Sequence, residues 1–504
     1  MKEWVLEPET EYRFELDPGT SLAIKVRSPT PSELTPQLAH GQAEVFGAEL
    51  AEGKTYLFGT ECRAAVFTWQ GCTLEISATP SSLLTTCHIT GRPSTEYVSE
   101  ETPMAAYANV HIAFEQMRVR ALRIVHGSPA SDDDANANAE PPRVLVLGPE
   151  NSGKTTVCKI LTNYTVRAGQ NWSPVLVNVD PSEGGWAVPG AISAAPIRSP
   201  IATASPANPL GSAVTSAPTA LSSNALIPLS YWYGHSETKR NPVLLDRLIR
   251  NLGENIRERD DDDPEARVSG LIVDTPSSFA SSSGSAPDNR HTLIKACVDA
   301  FRINVILVVG HEKLTVEMQR LFGNRFTVVK IPKSGGVVEL DHSYRERVRK
   351  YQLHTYMYGQ KIDPPPGIAS AIVGGEAVAD LVLSPSSCVL KFEDLAIYRI
   401  GAENMAPSSA LPIGAARMLS EMQPVLVDPA SSSSGLLNSI LALLAPFNPD
   451  ESERYDEEIL DLSVVGFLVV TSIDAPNRKM TILAPNQGSL AGKTALLGSF
   501  DWQE

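Results

Sequence analysis

The chain has 504 residues, room for about three domains with sizeable cores. Its 42 basic and 58 acidic residues leave a formal charge of −16. That balance excludes a protein that coats nucleic acid with its whole surface, though not one with a local basic groove. At 42% hydrophobic and 20% charged, the composition is that of a globular chain rather than a disordered one.

The start, Met1-Lys2-Glu3-Trp4, runs into acidic and polar residues and lacks the apolar core of a signal peptide. The longest apolar runs, such as Val305 to Val309, have the length of strands and not of membrane spans. Cys62, Cys72, Cys87, Cys158, Cys297 and Cys388 form no CxxC pair and lie near no His cluster, so they read as isolated buried thiols. The expectation is a protein of the cytoplasm or nucleus with no membrane contact.

Residues 1–100 alternate in short apolar runs: Tyr12 to Leu16, Ser21 to Val26, Ala43 to Phe46 and Ala65 to Trp69, with Gly and Pro between them. This spacing predicts a small antiparallel β-sandwich. Residues 101–142 hold a predicted helix over Met104 to Ile124, with Tyr107, Ile112, Phe114, Met117, Val119 and Leu122 as a broad apolar face. An acidic linker, Asp132 to Asn138, follows and closes on Pro141-Pro142.

Residues 143–360 change grammar. Apolar strands over Val144–Leu147, Val175–Val179, Leu271–Val273, Val305–Val309 and Thr327–Ile331 alternate with helical segments, the pattern of an α/β domain with a parallel sheet. Ser199 to Ser223 and Ser277 to Pro287 are low-complexity and read as mobile surface insertions, and Asp260 to Asp263 as a solvated loop. Residues 361–504 enter through Pro364-Pro365-Pro366. They carry strands at Leu395–Ile400, Val464–Ser472, Lys479–Leu483 and Ala495–Gly498, a mainly β (α+β) domain.

The most specific signal is Gly148-Pro149-Glu150-Asn151-Ser152-Gly153-Lys154-Thr155, followed by Thr156: a G-x-x-x-x-G-K-T motif between a strand and a helix. The glycines let successive N–H groups curl round phosphates, and the helix start adds a positive dipole end. Lys154 would reach the outer phosphates and Thr155 a Mg²⁺ ion. Asp180 and Asp274 follow strands, where a carboxylate faces the nucleotide crevice and can hold Mg²⁺. Spacing alone leaves open which of them does so, and either would also suit a turn cap. Arg345 and Arg349 fall one helical turn apart in a basic stretch, either clamping phosphate or lying on a solvated face.

With these residues assembled, the chain resembles the Clp family of mRNA cleavage and polyadenylation factors, relatives of polynucleotide 5′-hydroxyl kinases. The resemblance rests on Ala43 to Leu50, Ala65 to Cys72, the P-loop, Val177 to Pro181, Val188 to Gly190, Ile331 to Val337 and Tyr356 to Gly359, in that order. It implies an N-terminal β domain, a P-loop NTPase domain and a C-terminal domain, with ATP at the P-loop. It also implies an acidic and a basic contact to adenine from the first domain, matched here by Glu11 and Arg63. A Pcf-type subunit of cleavage factor IA, other 3′-end processing factors and a nuclear location come with it, with RNA contact weak or indirect.

Active kinases of the family differ at three places. They have a glutamine where this chain has Glu183, a Cys-Gly-Trp segment where it reads Pro276-Ser277-Ser278-Phe279, and a second lid arginine where it has His354. A further carboxylate beside a developing phosphoryl charge repels it, and a lost arginine costs orders of magnitude in rate. The expectation is an ATP-binding scaffold subunit whose nucleotide is structural, not an enzyme. The alternative is an RNA 5′-hydroxyl kinase in which Asp180 activates the hydroxyl while Lys154 and Arg349 stabilise the phosphoryl group. A GTPase is disfavoured, because no N-K-x-D motif follows the later strands.

Overall fold

The alternating runs of the first hundred residues become nine strands: β1 (Lys2–Leu6), β2 (Thr10–Glu15), β3 (Leu22–Arg27), β4 (Ala43–Val45), β5 (Ala48–Leu50), β6 (Thr55–Phe58), β7 (Arg63–Thr68), β8 (Cys72–Ala78) and β9 (Thr95–Ser99). The structure is a computed structural model, and it describes residues 2–28, 41–78, 93–127, 139–211, 228–281, 289–365, 367–368, 372–373, 380–401, 422–447, 456–485 and 488–503. The strands form two sheets, in the orders β1-β8-β3-β6 and β5-β4-β7-β2-β9. They enclose Tyr12, Phe14, Ile24, Val45, Val66 and Leu74 as a sandwich core. A short strand from far along the chain, Ile372–Val373, pairs in parallel with β6 and extends the first sheet.

Helix α1 (Met104–Val125) has close to the expected bounds, but its buried face is narrower. Ile112 and Val119 are 54% and 37% exposed, while Arg118 sits buried in the packed stripe. Arg118 Nε donates to the Ser269 carbonyl and Nη1 pairs with Glu115, which satisfies a charge inside the interface.

The central domain is built from β10 (Arg143–Leu147), α2 (Lys154–Arg167), β11 (Val175–Asn178), β12 (Ala191–Pro196), β13 (Leu229–Trp232), α3 (Pro242–Asp262), α4 (Pro264–Val268), β14 (Leu271–Asp274), α5 (Arg290–Ala300), β15 (Val305–Val309), α6 (Glu312–Phe322), β16 (Thr327–Ile331) and α7 (His342–Tyr358). The sheet order is β13-β12-β11-β14-β10-β15-β16. The five strands foreseen as parallel are parallel, and β12 and β13 extend the sheet in antiparallel pairing. Helices cover both faces, which is why β10, β11, β14 and β15 are buried along their whole length.

Three sequence expectations need correction. The acidic run is not a solvated loop: α3 continues to Asp262, and Asp260 is buried against Arg143, with Nη1 to Oδ2 at 2.8 Å. The described part of the Ala/Ser/Pro-rich stretch, to residue 211, is packed, with Ile201 and Leu210 buried under α2. In the Ser-rich stretch, Ser277–Phe279 forms a turn of 3₁₀ helix with Phe279 in the core. Residues 212–223 and 282–287 of these stretches, the acidic linker, Pro366 and Cys87 lie outside the described residues. Cys62, Cys72, Cys158 and Cys297 are buried free thiols as expected, and Cys388 is half-buried.

In the C-terminal domain, strands Ser386–Lys391, Leu395–Ile400, Pro424–Leu426, Ser439–Leu444, Val464–Asp474, Lys479–Ala484 and Lys493–Asp501 form one seven-stranded sheet. One face packs on the central domain through Val188, Trp232, Leu353, Tyr356 and Met357. A Cβ on Gly190 or Gly498 would lie within 2.8 Å of the Trp232 ring, so only glycine permits this approach. No helix among the described residues is long and apolar enough to cross a membrane.

Candidate nucleotide site

A cavity of about 840 Å³ opens where the first domain, the P-loop and α7 meet. The chain leaves β10 at Gly148, where a Cβ would sit 2.6 Å from Ser152 Oγ. It then turns through left-handed Asn151 (φ 52°) and Gly153 (φ 84°) into α2. Ser152 Oγ and Lys154 Nζ both donate to the Pro149 carbonyl, at 2.8 and 3.1 Å, so the loop is held in its cradle shape by its own side chains. Glu150, Asn151, Ser152, Gly153, Lys154, Thr155 and Thr156 all line the cavity.

Both strand-end aspartates reach this end, in different roles. Asp274 stands in register with Val146 and Asn178, and its Oδ2 accepts from Thr155 Oγ1 at 2.6 Å. Asp180 lines the cavity and also caps its own turn, Oδ1 accepting from Ser182 N and Oγ at 2.9 and 2.7 Å. Glu183 lies beside them, with Oε2 3.3 Å from Thr155 Oγ1. Burial, reinforced by the Asp180 and Asp274 charges, pushes the Glu183 carboxyl up to about 7. Burial likewise raises Asp274 to about 6 against the pull of Lys154.

These groups fit a magnesium ion. Asp274 Oδ1 is buried without a hydrogen-bond partner, next to the Thr155 hydroxyl. Thr155 and Asp274, with Asp180 at the rim, are the residues that would hold the ion. Among the described residues no three His, Cys, Asp or Glu side chains gather as a metal cage. The remaining oxygens would then come from phosphates and water, the usual arrangement for Mg²⁺.

At the other end, strand alternation aims Glu11, Arg13 and Glu15 of β2, and Arg63, Ala65 and Phe67 of β7, into the cavity. Glu11 is buried and pairs with Arg13 at 2.5 Å, and burial raises its carboxyl against the pull of Arg13. Arg13 also donates to the Glu101 carbonyl at 2.7 Å and lies 5.6 Å from the Tyr97 ring centroid. A Cβ at Gly336 would come within 2.6 Å of its Nε, which accounts for the glycine at that position. Arg63 stacks instead over Tyr344, 4.2 Å from the ring centroid, and faces Glu15. Along β2 it is four residues from Glu11, about 13 Å. Arg13 is thus a basic group beside Glu11 that the sequence reading did not name, while Arg63 lines the same cavity farther along the sheet. The i, i+2 alternation of Glu11-Tyr12-Arg13 was the available signal.

Helix α7 closes the third side. Arg345 and Arg349 both line the cavity. Arg345 is anchored to the P-loop, within 2.9 Å of Glu150 and donating to Asn151 Oδ1 at 2.5 Å. Among the described residues Arg349 has neither hydrogen bond nor ion pair. Arg347 pairs with Glu61, and Gln352 Nε2 donates to the Glu183 and Pro206 carbonyls. His354 is exposed beside Tyr358 and Trp502, away from the cavity. The far rim is Ser236 to Lys239 with Pro276 to Ser278, tied by Thr238 Oγ1 and Ser278 Oγ at 2.8 Å.

Three family models match consecutive stretches of the chain. These are the N-terminal beta-sandwich domain of polyadenylation factor over residues 5–121, the mRNA cleavage and polyadenylation factor CLP1 P-loop over 148–359, and pre-mRNA cleavage complex II protein Clp1 over 383–504. The chain is 72% identical to the mRNA cleavage and polyadenylation factor CLP1 of Laccaria bicolor, covering 100% of this chain and 98% of the relative. It is 31% identical to the protein CLP1 homolog of Nematostella vectensis, covering 100% and 97%. Among solved structures, the wild-type Clp1p–Pcf11p complex matches with a TM-score of 0.72 at 22% identity, over 100% of this chain and 98% of that one. A second structure, of the extended Pcf11p–Clp1p interface and ATP loss in a point mutant, matches with 0.73 at 23%, over 100% and 99%. Both share this fold.

Proposed function

Since the chain belongs to the Clp1 family of mRNA cleavage and polyadenylation factors, we propose that it is an ATP-binding scaffold subunit of the nuclear pre-mRNA 3′-end cleavage machinery. The observation that carries this reading is a single cavity walled by the β-sandwich, the P-loop and α7. A nucleotide held there touches three parts of the chain and stabilises their assembled form by mass action. Mg²⁺ accompanies it at Thr155 and Asp274, where it neutralises phosphate charge. The partner is a Pcf11-type subunit, as in the Clp1p–Pcf11p complexes of this fold.

The nucleotide is retained rather than turned over. Phe279 is 1% exposed and faces the central core, so it offers no ring for stacking an RNA base. Glu183 adds a third carboxylate where negative charge would develop, and His354 points away from the cavity. A second reading, RNA 5′-hydroxyl phosphorylation, is favoured by the unpartnered Arg349 at the rim, with Asp180 and Lys154 opposite.

Purified protein incubated with γ-labelled ATP, Mg²⁺ and a 5′-hydroxyl RNA separates the two. The scaffold reading expects bound ATP to be recovered intact on denaturation and the RNA to stay unlabelled. Label on RNA that disappears in Lys154→Ala would overturn it.

A further inference from the structure

Helix α2 begins in the P-loop, but a second face of it, away from the phosphates, carries a row of polar residues. Lys159, Asn163 and Arg167 are spaced i, i+4 and i+8, which stacks them along about 12 Å of one helix face. Every one of them reaches another part of the chain. Lys159 Nζ donates to the Thr203 carbonyl at 2.6 Å and lies 4.6 Å from the Phe46 ring centroid. Asn163 is fully buried: Nδ2 donates to the carbonyls of Phe46 (2.8 Å) and Ile201 (2.9 Å), and Oδ1 accepts from Ile201 N (2.6 Å). Arg167 Nη1 donates to Glu44 Oε2 and to the Gly47 carbonyl, both at 2.7 Å.

What the row grips is the tip of the β4–β5 hairpin. Phe46 (φ 48°) and Gly47 (φ 80°) form its two-residue turn with both φ values positive. A Cβ on Gly47 would press to 3.1–3.2 Å of Ile160 and Asn163, so the tip seats directly on the helix. Strand β4 is hydrogen-bonded to β7, and β7 to β2. Glu44 pairs with Phe67, and Phe67 pairs with Glu11, so these three occupy one rank across the sheet and face the same side. Glu44, held by Arg167 and by the Tyr164 hydroxyl at 2.5 Å, is thus two strands, about 10 Å, from Glu11.

We propose that Lys159, Asn163 and Arg167 are positioning residues that set the sheet carrying Glu11 and Arg13 at a fixed distance from the P-loop, and so determine preference for a nucleoside triphosphate over bare polyphosphate. The P-loop cradle, residues 148–156, receives none of the row's hydrogen bonds, and the groups beside it, Asp180, Asp274, Arg345 and Arg349, belong like it to the central domain. The base end belongs to another domain and depends on the row. The proposal rests on reading the cavity as an ATP site.

The test is calorimetric titration of the nucleotide-stripped full chain with ATP and, separately, inorganic tripolyphosphate, both with Mg²⁺. Wild type should bind ATP more tightly than tripolyphosphate. Arg167→Ala, which alters a partly exposed side chain, and Asn163→Ala should weaken ATP about tenfold or more and leave tripolyphosphate within about twofold. Equal loss of both ligands, or loss of neither, in a variant that melts cooperatively overturns the proposal. If Asn163→Ala fails to fold, Arg167→Ala decides alone. Failure of the underlying reading looks different: wild type itself would then bind neither ligand, or both equally, and the proposal falls with it.

Discussion

Arg345, on the first turn of α7, donates to Oδ1 of Asn151 at 2.5 Å, at the outer bend of the P-loop. With Glu150 at 2.9 Å from its Nε, the guanidinium latches the lid helix to the loop that would cradle the phosphates. A latch of this kind would slow the exit of a nucleotide held against the loop.

Arg345→Ala should therefore speed nucleotide release more than it slows uptake. Glu150 is 59% exposed, and solvent-screened pairs contribute at most about 1 kcal/mol. The expected change for Glu150→Gln is then no more than about fivefold in off-rate, with a larger one for Arg345→Ala. Displacement of a fluorescent ATP analogue in a stopped-flow instrument measures both, and an unchanged off-rate in Arg345→Ala would contradict the latch.

Glu183 and Asp274 make the nucleotide-free protein sensitive to pH. Burial holds both above their ordinary values of 4.5 and 3.8, near 7 and 6. A raised carboxylate favours the folded state in its protonated form. That contribution is whole below about pH 4 and is lost as pH climbs through 6 to 7. Nucleotide-free protein should thus lose a few degrees of Tm from these groups between pH 5.5 and 8. Glu183→Gln, which cannot ionise, should flatten the slope over that window. Differential scanning fluorimetry across the range checks the sign, and a steeper slope in the variant would refute it.

The C-terminal domain should not unfold independently of the central one. Trp232 ends β13, is 2% exposed, and packs in tilted contacts with Phe467 and Phe500 across the boundary, ring centroids 5.3 and 6.1 Å apart. Trp232→Ala opens a cavity in that shared core and should cost about 3–5 kcal/mol. Urea unfolding followed by circular dichroism should show one transition in wild type and two, or one at lower midpoint, in the variant.

The P-loop could be read directly because its chemistry demands contiguous residues at fixed spacing, and the buried strands because helices on both faces make them continuous apolar runs. Features created by pairing between distant segments were harder to read. Arg13 neighbours Glu11 only once β2 is extended. Arg63 slides away from Glu11 because the β2–β7 register sets it opposite Glu15. Ile201 and Leu210 are buried in a stretch whose Ala, Ser and Pro content resembles a solvated insertion, because Asn163 supplies the hydrogen bonds that its backbone needs at Ile201. Strand β12 and the edge strand β13 are separated in sequence by that same stretch, β12 is rich in Ala and Ser and β13 is short, so no alternating apolar pattern announces them.

The acidic run at the end of α3 offers the sharpest test of such hidden pairing, since four identical residues meet three environments. Asp260 lies buried against Arg143, whose Nε also donates to the Phe301 carbonyl at 2.7 Å. Asp261 and Asp262 are exposed, and Asp263 caps α4 by accepting from Ala266 N at 2.9 Å. Removing one member of a buried pair strands the other charge, so Asp260→Ala should cost about 3–5 kcal/mol. Losing a cap costs about 1 kcal/mol, which sets the expectation for Asp263→Ala. Asp261→Ala and Asp262→Ala should stay within about 0.5 kcal/mol of wild type. Urea midpoints for the four variants should fall in that order, whereas four equal values would mean that the run is solvated throughout.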